Sequence, residues 1–263
     1  MGYTVRPVPR DRLIVLDMLR GAARRFPVHG LVELDVGRAS ALIAEAPSPV
    51  SWTGFVIASI GRAIARHPEL NARRAGKRIV LFDQVDIGAT VERHMDGTIV
   101  LDATTIRGAD RKSCAQVSEE LHRAKQAPPP DSGSMGVTAQ LWRLPGPVRR
   151  PLSRIISTRP RVAAAYGPTI GVTSLGMFSR GGGWAIPIPP LTVIVTVSGV
   201  VDRPVVRDGH IVVRPMLPLT LSFDHGVVDG APAARFVETL RDLVESAAAL
   251  LPEPTGATAP SVG

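Results

Sequence analysis

Two Asp-Gly dipeptides constrain the fold of this chain more than any other local feature. Asp96-Gly97 separates VDIGATVERH from TIVLDATTI, and Asp208-Gly209 separates RPVVR from HIVVRPM. A two-residue connection of this composition tolerates positive φ at both positions, the backbone condition for a tight hairpin. The sheet therefore contains antiparallel pairs, and a purely parallel βαβ arrangement is excluded.

Hydrophobic periodicity fills in the rest. Leu217, Leu219, Leu221 and Phe223 alternate with Pro218, Thr220, Ser222 and Asp224, which predicts a half-buried strand. The stretch PPLTVIVTVSGVV reads as a core strand and falls short of the roughly 20 apolar residues a membrane span requires. Helical spacing appears at Leu13, Leu16, Leu19, Ala23 and Phe26, and again at Val56, Ile60, Ala63 and Ile64, so each segment predicts a helix with one buried face. Phe236, Leu240, Leu243, Val244, Ala247 and Leu251 form one stripe, with Arg235, Glu238, Arg241 and Asp242 outside it, predicting a C-terminal amphipathic helix. Helices and hairpins mixed without strict alternation predict an α+β domain, helices packed on a mostly antiparallel sheet.

The 263 residues, 44% hydrophobic, fit one domain over residues 1–251, and disorder throughout is excluded. The segment QAPPPDSGSMG opens an insertion at about residues 127–166, and residues 252–263 predict a disordered tail. A single cysteine, Cys114, excludes a disulfide scaffold and a thiolate metal cluster, and no metal site is expected. With no secretion signal in the first twenty residues, a cytoplasmic location is expected. The formal charge of +8 points to an acidic partner.

Chemistry concentrates in LTLSFDHGVVDGAPAARFVETL, where a strand leads into His225 and a turn through Asp229 and Gly230 opens a helix. A neutral imidazole suits proton abstraction near neutrality, and an acidic neighbour can fix its geometry. Alone, the pattern better describes a structural histidine with Asp229 capping a helix that begins near Ala231.

The phrase Ser222-Phe223-Asp224-His225-Gly226-Val227-Val228-Asp229-Gly230-Ala231 closely resembles the catalytic domain of the dihydrolipoamide acyltransferases of 2-oxo acid dehydrogenase complexes. The resemblance extends through VVRDGHIVVRPMLPLTLS, GVTSLGMF, DQVDIGATVE, GADRKS, GFVIASIGRAIARHPELNA and RDRLIVLDML. It implies a chloramphenicol acetyltransferase-like fold on a mixed, mostly antiparallel sheet. It also implies that His225 is the general base for the thiol of coenzyme A or dihydrolipoamide. The oxyanion donor is then Thr173, which falls on the family's hydroxyl position in Val172-Thr173-Ser174-Leu175-Gly176, 52 residues before His225, with Ser174 as the alternative. Asp229 and Gly230 would support the site, and Arg12 is the arginine the resemblance pairs with Asp229. Members form trimers whose histidine faces a neighbour's hydroxyl, some assembled into cubic or dodecahedral cages. The substrate is acyl-CoA, without a metal.

The departures carry expectations too. Nothing before Arg6 has room for a lipoyl or subunit-binding module, so a separate lipoyl-carrier protein, or a different acceptor, is expected. Gly226 replaces the family's arginine, removing a charge and adding backbone freedom. The stretches Ile99–Ile106 and Trp184-Ala185-Ile186-Pro187 differ from the family's and predict a reshaped pocket. The insertion sets Trp142, Leu144, Val148, Leu152, Ile155 and Ile156 among Arg143, Arg149, Arg150, Arg154, Arg159 and Arg161. This basic amphipathic stretch fits a membrane surface, a phosphate-rich ligand or packing on its own domain. Nucleic acid is not an expected partner, with aromatics at 4% and no recognised module. A catalytically silent assembly scaffold and a peripheral membrane adaptor are the competing readings. His29 reads as a strand-end residue, with lining of the family's channel as the alternative, His67, His94, His122 and His210 as surface residues, and Cys114 as half-buried on a helix.

Overall fold

The computed structural model describes residues 2–5, 7–8, 16, 19–95, 98–127, 144, 146–148, 151, 167–175 and 182–251, and the backbone alone of 93–95 and 98–102. Nine strands are described: β1 Pro27–Asp35, β2 Ala72–Ala75, β3 Arg78–Leu81, β4 Ile87–Met95, β5 Thr98–Ile106, β6 Ile170–Ser174, β7 Val193–Val197, β8 Val201–Arg207 and β9 His210–Asp224. Four helices lie wholly within the described residues: α1 Gly37–Ala44, α2 Trp52–Arg66, α3 Cys114–Gln126 and α4 Gly230–Glu245. Seven strands form one sheet in the order β1-β9-β7-β6-β4-β5, with β8 also on β9, while β2 and β3 pair as a separate ribbon. The pairs β4–β6 and β6–β7 are parallel; the other pairs of the sheet are antiparallel. The expected α+β architecture on a mixed, mostly antiparallel sheet is what forms.

Both Asp-Gly connections join hairpins. Arg207 pairs with His210, and Asp208 and Gly209 take φ of 49° and 78° between them. Met95 pairs with Thr98, while Asp96 and Gly97 lie outside the described residues.

The strand ending at Phe223 is longer and more deeply placed than its period suggests. Every residue of β9 from Met216 to Asp224 is buried, including Thr220 and Ser222. The register explains this. Met216 pairs with Asp35 of β1 on one edge and with Val201 of β8 on the other, and β7 continues that second edge from Leu219 to Phe223. A strand flanked on both sides and covered on both faces has no solvent side, whatever its alternation.

The helices lie on the face formed by Leu217, Leu219, Leu221 and Phe223. Ser51 caps α2 by accepting from the Gly54 N–H at 3.0 Å, and Ser113 with Gln116 forms a capping box on α3. Helix α2 packs against α3, α4 and the short turn Ala109–Arg111, so ten of its residues are buried rather than one stripe. Gly61 permits that closeness, since a Cβ there would sit 2.7 Å from the Ala109 carbonyl. The C-terminal stripe buries Phe236, Leu240, Leu243, Val244 and Ala247, but Ala247 at φ 53° turns the chain, leaving Leu251 38% exposed.

The first expected helix is only partly described. Leu16 and residues 19–22 are helical, and Leu13 lies outside the described residues. Of the expected stripe, Leu16, Ala23 and Phe26 are exposed and Leu19 is half-buried among the described residues.

Candidate functional site

The turn after β9 is organised by Asp224, which is 5% exposed. Its Oδ2 meets Arg25 Nη1 at 2.5 Å, and its Oδ1 accepts from the Gly226 N–H at 3.0 Å. Its carbonyl accepts from the N–H groups of Val227 and Val228, and its own N–H donates to Thr192 O. The next N–H, that of His225, donates to Phe26 O at 2.8 Å. Five hydrogen bonds and an ion pair therefore set the two residues that aim the imidazole.

The His225 side chain is half exposed, with Nδ1 3.6 Å from Asp229 Oδ1. That separation exceeds a hydrogen bond, and with Asp229 86% exposed the pair contributes little energy. Asp229 occupies the N-cap position of α4, which begins at Gly230, yet its side chain makes no capping bond. A Cβ on Gly230 would meet nothing within 4 Å. Gly226 is not among the glycines at positive φ, so the turn makes no use of glycine's extra freedom; a Cβ there would sit 3.1 Å from Asp224 Oδ1 and 3.6 Å from Arg74 Nη1. Arg12 lies outside the described residues, as do the six arginines of the basic insertion.

Thr173 and Ser174 end β6 on opposite faces. Ser174 is level with Val197 and Leu219 on the helix side. Thr173 is level with Thr196 and Thr220, giving a row of three threonines across β6, β7 and β9 on the face away from the helices. The Thr196 and Thr220 hydroxyls are buried without a hydrogen-bond partner among the described residues. His225 lies five residues beyond Thr220 and two strands across from Thr173. At about 3.3 Å per residue and 4.8 Å per strand this places the two backbones roughly 19 Å apart. Within one chain the two candidate groups do not meet.

Other histidines divide. His29 Nδ1 lies 2.9 Å from Ser222 Oγ. His67, expected at the surface, is largely buried: its Nε2 is 2.8 Å from Thr239 Oγ1 and its ring stands edge-on to Phe236. His122 and His210 are exposed, as expected, and the His94 side chain is outside the described residues. Cys114 is buried rather than half-buried, with Sγ donating to Ala249 O at 3.1 Å, and burial pushes its thiol up to about 11. A thiol in that state is no nucleophile near neutrality.

Sequence reasoning missed Arg25, which sits in an unpatterned stretch 199 residues before its partner. It also missed a cleft of about 530 Å³ lined by Asn71, Asp83, Asp86, Arg107 and Thr169. This cleft opens at the sheet end where His225 lies, yet His225, Asp229 and Thr173 are not among its lining residues. Among the described residues, no His, Cys, Asp and Glu group is placed to hold a metal, and no helix is long and apolar enough to cross a membrane.

Comparison with known proteins places these features in context. The family described as 2-oxoacid dehydrogenases acyltransferase (catalytic domain) matches residues 22–128 and 153–252. The lipoamide acyltransferase component of the branched-chain alpha-keto acid dehydrogenase complex of Pseudomonas putida is 42% identical over 43% of this chain and 27% of its own length. Its counterpart from Pseudomonas aeruginosa is 28% identical over 96% of this chain and 55% of its own length. The chain thus spans between about a quarter and a little over half of these relatives.

Among solved structures, the cubic core of the pyruvate dehydrogenase multienzyme complex superposes with a TM-score of 0.66 at 23% identity, covering 94% of each chain. Azotobacter vinelandii dihydrolipoamide acetyltransferase gives 0.66 at 22% identity, also over 94% of each. Chloramphenicol acetyltransferase gives 0.50 at 14% identity over 91% of this chain and 99% of the other, in keeping with the expected fold.

Proposed function

This chain belongs to the 2-oxoacid dehydrogenase acyltransferase family through its catalytic domain, and from that premise we propose that it moves an acyl group between coenzyme A and a dihydrolipoyl-type thiol. His225 is the base and Thr173 the oxyanion donor. The observation that carries this reading is one of position. His225 and Thr173 stand at opposite ends of one sheet, so neither completes a site alone, and a neighbouring copy must bring the hydroxyl to the imidazole. The description of the Azotobacter vinelandii structure names a serine, a histidine and an asparagine in the catalytic mechanism, with the histidine 52 residues after the serine and the asparagine 4 after the histidine. Thr173, His225 and Asp229 repeat those spacings.

The chemistry follows from the side chains. A free thiol has a pKa of roughly 8.5, so little of it is ionised at neutral pH. With Nδ1 directed toward Asp229, the Nε2 of His225 takes the thiol proton as sulfur attacks the thioester carbonyl. A new carbon–sulfur bond forms, and the carbonyl oxygen becomes an oxyanion that the Thr173 hydroxyl stabilises. Collapse breaks the original carbon–sulfur bond, and the departing thiolate recovers the proton from His225. A positioned base of this kind contributes about 10²–10⁴ in rate.

The proposed assembly is a homotrimer, the unit from which the family's cages are built. Phe26, Val28 and Leu31 around β1, and Trp184, Ile186 and Ile188, leave large apolar side chains uncovered in the isolated protomer.

Two measurements test the reading. Release of free coenzyme A from a panel of acyl-CoA thioesters, resolved chromatographically with dihydrolipoamide as acceptor, should fall by at least a hundredfold in His225→Ala while acyl-CoA binding persists. Equal release from the native and substituted chains overturns the assignment. Solution mass should be a multiple of three protomers, and a stable, active monomer rules out the shared site.

A further inference from the structure

His29 and Ser222 form a polar pair that the transfer chemistry does not use. They sit directly opposite one another on β1 and β9, with His29 Nδ1 2.9 Å from Ser222 Oγ. Ser222 is 0% exposed, and the imidazole is the hydrogen-bond partner of its hydroxyl among the described residues. Accounting for that hydroxyl's proton fixes the ring. If Nδ1 carried hydrogen, the buried Ser222 proton would have no acceptor among the described residues, a loss that buried donors rarely sustain. Ser222 therefore donates to Nδ1, and the hydrogen of the neutral imidazole resides on Nε2. Nε2 has no partner among the described residues, and His29 is only partly buried.

The pair stands close to the reaction. Ser222 is three residues before His225, so its backbone is roughly 10 Å from that of the base. His29 shares the sheet face of Thr173, and Phe26, three residues before it, holds the His225 N–H.

We propose that His29 is a substrate-binding residue whose Nε2–H donates to the amide carbonyl oxygen of the arm that carries the reacting thiol. Ser222 sets the tautomer that makes this possible. The inference rests on the proposed transfer at His225. An arm amide occurs both in the pantetheine portion of coenzyme A and in dihydrolipoamide, and the hydrogen-bonding chemistry is the same for either.

Calorimetric titration of the full chain with coenzyme A and, separately, dihydrolipoamide tests the inference without requiring turnover. In His29→Leu the affinity for one arm falls about three- to tenfold, the span of a single neutral hydrogen bond, and the arm affected identifies the source of the carbonyl. His29→Gln, which keeps a donor near the Nε2 position, recovers most of that affinity, and KM for the same arm follows the binding while kcat stays within twofold. Unchanged affinity for both arms in His29→Leu overturns the inference, as does equal loss in the Leu and Gln variants, which marks a packing role. If the native chain binds neither arm, the transfer reading fails first and the inference with it; if it binds and His29→Leu binds equally well, the inference alone fails.

Discussion

Arg25 grips Asp224 at 2.5 Å, immediately before the residue proposed as the base. Asp224 is nearly buried and Arg25 is 24% exposed, so the pair is shielded on one side only. Removing the guanidinium leaves a carboxylate with the Gly226 N–H as its remaining side-chain bond in the turn. Arg25→Leu should lower stability by about 1–3 kcal/mol and reduce turnover more than acyl-CoA binding. Chemical denaturation of both single variants and the double variant Arg25→Leu, Asp224→Asn checks this. Additive losses would show that the two side chains are not coupled.

The threonine row makes an opposite prediction. The Thr220 hydroxyl is buried without a partner among the described residues, so it carries a desolvation cost that a methyl group of the same shape would not. Thr220→Val should raise stability by about 0.5–2 kcal/mol, read as a higher Tm. A loss of stability would mean that the hydroxyl is satisfied in the folded protein.

Asp35 links β1 to the β8–β9 ribbon. Burial alone would push its carboxyl up, but hydrogen bonds from Arg214 and the Gly37 N–H, with the charges of Arg214 and Arg207, more than offset this and hold it below the usual carboxylate range. A carboxyl lowered by folding contributes stability that is complete above its unfolded pKa of about 3.9 and is lost as pH falls toward the folded value. Denaturation between pH 6 and pH 2 should show this loss in the acid limb. Asp35→Asn should flatten that limb while lowering stability at pH 6, and an unchanged limb would remove Asp35 from the explanation.

Burial of Cys114 predicts silence toward thiol reagents. With the thiol raised to about 11, about one molecule in a thousand is ionised at pH 8. Alkylation of the native chain should run at least a hundredfold slower than in denaturant, where one equivalent reacts promptly. Comparable rates would place the sulfur at the surface.

How much was legible depended on how local the determinants are. Asp208-Gly209 encodes its turn in two residues, and Arg207 and His210 pair as the dipeptide requires. The alternation from Leu217 to Phe223 correctly implied a strand but not its place. Thr220 and Ser222 looked solvent-facing, and only the arrival of β1 and β7 from distant parts of the chain buries them. His67 likewise took a partner 172 residues away, Thr239. At the candidate site, His225 stood out through a contiguous phrase. Arg25 did not, because a guanidinium that anchors a turn leaves no periodic mark, and that Thr173 and Ser174 face opposite sides of the sheet shows only in the register.

Strand β9 is held along both edges by three other strands before it delivers the chain to His225. Amides in such a stretch exchange with solvent only through global opening, so deuterium uptake should be slowest from Leu217 to Phe223 and rise abruptly beyond the turn. The imidazole is thus mounted at the boundary between the least yielding backbone in the molecule and a half-exposed loop. Its aim is set by the whole sheet, and anything that softens the sheet's centre will be felt first as a loss of alignment rather than a loss of structure.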